Sequence, residues 1–189
     1  MIIRILLGMM ATLWLLAAPA RADTAQVLQS AAAQYQQGRV LDAENTLETA
    51  LPATADAKDR WAVVNLLTDI CSYSFDGACL AANQKTLGDA AAALNAPQLT
   101  ATKVVFVIAF QQYLGGNLDF FRQNGGLDFS LKIANPLADP ALATRLFLLN
   151  AAVQQQAGDF AAAHRFIDRA FASFLRIDSG KDAFESSSL

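Results

Sequence analysis

Apolar positions recur along this chain every three or four residues, the period of helices with one face turned toward a core. Val27, Leu28, Ala31 and Ala32 share one such face. Gly38-Arg39 interrupts it, and Val40, Ala43, Leu47 and Ala50 resume the pattern up to Leu51 and Pro52. Asp23 or Thr24 can cap the first of these helices and Pro52 ends the second, so an αα-hairpin is expected. Small and polar residues at 53–58 link it to a mostly buried helix from Trp61 to Ile70 and an Ala-rich one from Leu80 to Leu94. The run Val104-Val-Phe-Val-Ile-Ala-Phe110 is rich in β-branched residues and would suit a strand. No other segment offers a strand to pair with it, so a buried helix from about Leu99 to Leu114 is expected. Asp139-Pro140 has the cap and first-position proline of a helix start, and apolar spacing carries this helix to Gly158. Asp159 caps a last helix bearing Phe160, Ala163, Phe166, Ile167, Ala170, Phe171 and Phe174.

Between these segments, Gly115-Gly116 and Gly125-Gly126 are each followed closely by Leu-Asp-Phe. A loop presenting Phe120, Phe121 and Phe129 is one reading. A short helix with its rings buried is favoured, because exposed clusters of Phe are costly in a monomer.

The N-terminus changes the picture of where the chain works. Arg4 precedes an apolar run from Ile5 to Ala18, Pro19 breaks it, and Ala20-Arg21-Ala22 has the small residues of a signal-peptidase site. The run is shorter than the ~20 residues of a spanning helix. Residues 1–22 are therefore expected to be a signal peptide, 23–178 a helical domain and 179–189 a flexible tail, in a periplasmic or secreted protein without a stable membrane span. Arg4 and Arg21 leave with the signal peptide, so 12 of the 14 basic residues remain against 17 acidic ones, a charge near −5. No basic patch is left to track phosphates, which argues against nucleic acid. In an oxidising compartment the two cysteines, Cys71 and Cys79, become candidates for a disulfide across the Asp76-Gly77 turn. Two free buried thiols are the alternative.

Two segments share a finer pattern. Gly38-Arg-Val40-Leu-Asp-Ala43-Glu-Asn-Thr-Leu47-Glu-Thr-Ala50 and Gly158-Asp-Phe160-Ala-Ala-Ala163-His-Arg-Phe-Ile167-Asp-Arg-Ala170 place glycine, large apolar, Ala, large apolar and Ala at identical offsets. This resembles the tetratricopeptide repeat, in which glycine ends the first helix and small Ala positions let helices approach closely. Ala43, Ala50, Ala163 and Ala170 match its small positions, Gly38 and Gly158 its turn. The matches start 120 residues apart, which is no multiple of the family's 34-residue period, and the central hairpins lack its Gly-x-aromatic turn. The resemblance implies an all-α fold of antiparallel helical hairpins stacked as a short α-solenoid. It further implies that the first-helix faces take a protein or peptide partner, with Leu28, Tyr35, Gln36, Leu148, Gln155 and Gln156 as candidate contacts.

No chemistry competes strongly with that reading. His164 is the sole histidine and sits beside small Ala163 on the outer side of its helix. There is no second histidine or positioned nucleophile for acyl transfer, no metal-ligand set and no phosphate loop, so no catalytic residue, metal or cofactor is assigned. A non-catalytic binding scaffold is the expectation. The alternatives are a helical regulatory region of an exported caspase-like peptidase and a self-assembling envelope component.

Overall fold

Residues 24–123 and 139–177 are described by the structure, a computed structural model, and every regular element among them is helical. Helix α1 is Thr24–Gln36, α2 Val40–Ala50, α3 Ala57–Tyr73 and α4 Gly77–Ala93. Helix α5 begins as the turn Pro97–Leu99, widens into a π-helical turn over Thr100–Val104 and continues as Val105–Leu114. Helix α6 is Leu118–Gln123, α7 Pro140–Gln156 and α8 Phe160–Phe174. Each packs on its successor from α1 to α6, α7 packs on α8, and α7 also reaches α5. The protein is all-α. The signal peptide, Phe129 and the tail expected from the sequence lie outside the described residues.

One turn design recurs. Gly38, Gly116 and Gly158 are left-handed, with φ of 75°, 72° and 83°, and so are Phe75 and Asn95, with φ of 57° and 51°. After each, the next backbone N–H donates to a carbonyl five residues back: Arg39 to Gln34, Asp76 to Cys71, Ala96 to Ala91, Asn117 to Gln112 and Asp159 to Gln154. These are Schellman closures, which satisfy the last carbonyls of one helix while reversing the chain. In three turns the following side chain caps the next helix: Asp76 accepts from the Cys79 N–H, Asn117 from that of Phe120 and Asp159 from that of Ala162. The α3–α4 and α4–α5 turns therefore close as the glycine turns do, with Phe75 and Asn95 in the place of glycine.

The core is built of small and branched residues. Ala31, Ala43, Leu47, Val63, Val64, Leu67, Ile70, Leu80, Leu87, Ala91, Val107 and Leu146 are fully or almost fully buried. The β-branched stretch is helical, as its lack of a pairing strand requires, and its π turn was not legible from apolar spacing. Phe120 and Phe121 are half-buried, packed on the core and edge-to-face at 5.2 Å. Cys71 and Cys79 form a disulfide between the last turn of α3 and the first turn of α4, their Cα atoms 5.8 Å apart. Closing so short a loop stabilises the fold by about 2.5 kcal/mol on the chain-entropy account. Among the described residues, no helix is long and apolar enough to cross a membrane.

Candidate functional site

Aromatic side chains gather where α3, α5 and α7 meet. On α5, Phe106, Phe110 and Tyr113 fall at i, i+4 and i+7, hence on one face. Their rings stack in sequence, with centroids 5.6 and 6.3 Å apart. On α7, Arg145, Leu148, Leu149 and Ala152 share a face by the same spacing. Tyr73, from the last turn of α3, and Phe75, from the turn after it, complete the wall of a cavity of about 300 Å³. That is near the lower end of the size range of small-ligand pockets, and its lining is almost wholly apolar.

Phe75 is the anomaly of this site. A bulky side chain in the left-handed region crowds the backbone and costs roughly 1–2 kcal/mol relative to right-handed backbone. The residue is nevertheless 68% exposed, its ring centroid 5.9 Å from that of Phe110 at the cavity's edge. Backbone strain and an exposed aromatic ring thus coincide in one residue.

Beneath the cavity lies a buried ion cluster. Asp69 on α3 accepts hydrogen bonds at Oδ1 from both Lys103 Nζ and Arg145 Nη1. The π turn matters here, because it carries Lys103, 3% exposed, inside the fold beside Asp69. Burial alone would push the Asp69 carboxyl up, but its two cationic neighbours together outweigh burial and hold it below the usual range. For Lys103 burial dominates, Asp69 offsets only part of it and Arg145 adds repulsion, so its pKa falls to about 8. The two directions agree once the second cation is counted: the site keeps its carboxylate, and Lys103 is the cation that yields. Arg145 is held above its ordinary value by Asp69, despite burial. Its guanidinium lies 4.8 Å from the Tyr73 ring centroid, a cation–π contact that joins the cluster to the cavity wall.

The residues read from the sequence as partner contacts occupy related places. Leu148 lines the cavity and is half-exposed. Tyr35, half-buried at the end of α1, has its ring 6.3 Å from Tyr73. Leu28 is half-buried against the core. Gln36, Gln155 and Gln156 are exposed at the last turns of α1 and α7, outside the cavity lining. His164 is exposed and Ala163 buried. Sequence reasoning missed Asp69, Lys103, Arg145 and Phe75. The available signal was a charged residue within an apolar helix run, as in Leu66-Leu-Thr-Asp69-Ile70 and Thr144-Arg145-Leu146.

A carboxylate oxygen of Glu44 lies within 4.8 Å of both cysteine sulfurs. The disulfide leaves no thiolate there to hold a metal. Comparison with protein-family models, curated proteins and solved structures finds no match for this chain.

Proposed function

We propose that this chain is an exported, non-catalytic binding module. It takes an extended segment of a partner protein across the C-terminal ends of α1, α3, α5 and α7. A large apolar side chain of the partner enters the aromatic cavity. Tyr35 and Gln36 border the bound segment on one side, Gln155 and Gln156 on the other, where glutamine amides can both donate to and accept from a peptide backbone. The reading is carried by Phe75, whose strained backbone and exposed ring are a cost to the free protein that contact with a partner would offset. The tetratricopeptide-like hairpin pattern supports it, since such arrays use first-helix faces for this purpose.

Selection from a random peptide library displayed against the purified chain tests the proposal. The enriched peptides should share one large apolar or aromatic residue, and changing that residue to Ala should weaken binding at least about tenfold, or 1.4 kcal/mol. Phe110→Ala in the protein should weaken the same peptides comparably. Enrichment without a shared apolar residue, or binding indifferent to Phe110, would place recognition elsewhere.

A further inference from the structure

Helix α8 is built inside out. Its small residues Ala162, Ala163, Ala170 and Ser173 face inward, while Phe160, Ile167, Phe171 and Phe174 are 70%, 46%, 61% and 57% exposed. Those four fall at i, i+7, i+11 and i+14, one continuous stripe along the helix. At the offset that relates the two glycine-turn segments, Ile167 corresponds to Leu47 and Phe171 to Leu51. Leu47 and Leu51 are 0% and 8% exposed, on a hairpin whose α2 is covered by α3. The last hairpin therefore carries the same kind of docking face with nothing among the described residues upon it.

We infer that this stripe is the interface of a homodimer, in which α8 packs antiparallel against α8 of a second copy. Phe160, Ile167 and Phe174 are self-complementary in spacing, as a two-fold interface requires, while Phe171 adds apolar surface beside them. Phe160 and Phe174 lie seven residues either side of Ile167, so an axis at Ile167 sets each Phe160 against the other copy's Phe174. Taking about 200 Å² for a fully exposed large side chain, each stripe presents roughly 500 Å² of apolar surface. Two stripes meeting remove about 1,000 Å², which meets the lower bound for a biological contact and is the size of a weak, reversible pairing. Helical periodicity puts Arg165 and Arg169 on the side away from the stripe, so the pairing brings neither cation of α8 to its partner. The same placement disfavours an anionic lipid surface, which calls for basic residues bordering the apolar face.

Sedimentation velocity of the purified chain, as its own processing leaves it, should show twice the monomer mass at micromolar concentration. Ile167→Glu should raise the dissociation constant about a hundredfold or more while leaving the helical circular dichroism unchanged. Ile167→Cys, lying on the axis, should crosslink to itself on oxidation. Phe160→Cys should not, yet should link to Phe174→Cys when the two variants are mixed. A monomer at all concentrations, a dimer indifferent to Ile167→Glu, self-linking of Phe160→Cys, or α8-dependent capture by anionic vesicles without dimerisation would each overturn the inference. None of these outcomes bears on the aromatic cavity.

Discussion

Burial in this fold disfavours the charge of Lys103, and its titration has a defined sign. Its pKa falls from 10.5 in the unfolded chain to about 8 in the folded one. Between those values the unfolded chain binds more protons, so stability rises with pH across that window. At about 1.4 kcal/mol per unit, the rise is at most about 3 kcal/mol. Urea midpoints should therefore climb from pH 8 toward pH 10 in the native protein, and the climb should vanish in Lys103→Met. Asp69→Ala should behave oppositely in kind, costing about 3–5 kcal/mol near neutral pH, because it strands two buried cations at once. A flat profile in the native protein, or an Asp69→Ala loss no larger than that of Lys103→Met, would remove the cluster from its structural role.

At the level of elements, apolar period, proline and capping residues made most helices readable. Asp139-Pro140 and Asp159 start α7 and α8 where the sequence placed them, each accepting from a backbone N–H of its first turn. Gly38 and Gly158 end α1 and α7 because their left-handed φ requires little else. Breaks at Asp76-Gly77 and Asn95 were readable, Asn being a residue that takes positive φ, but the left-handed φ at Phe75 was not, since nothing local favours it at phenylalanine. The π turn in α5 escaped as well; it carries Lys103, whose partner Asp69 is 34 residues away in the chain. Thus the part of the site made by periodicity, such as Leu148, could be found from the chain, and the part made by long-range charge pairing could not. The helix-packing claim is open to a paired test. Ala163→Leu, at a buried position, should cost about 1–3 kcal/mol through overpacking against α7. Ala161→Leu, exposed one turn-edge away, should stay within about 0.5 kcal/mol. Equal losses in urea would mean that the inward face of α8 is misassigned.

Across the whole molecule, small residues bring neighbouring helices close, a disulfide clamps the α3–α4 turn, and the charged cluster is joined through Arg145 to the wall of the aromatic cavity. Stability and recognition separate at Phe75. Asn accepts left-handed backbone far more readily than Phe, so Phe75→Asn relieves strain worth roughly 1–2 kcal/mol. It also gives up a ring contact with Phe110 worth about 0.5–1.5 kcal/mol. The account's central claim, that the aromatic cavity is a binding site, therefore meets its most direct test in one variant measured two ways. Phe75→Asn should leave the urea midpoint unchanged or raised while weakening the selected apolar peptides at least about tenfold. A lowered midpoint with undiminished peptide affinity would contradict it, making Phe75 a piece of the scaffold and the cavity a packing defect.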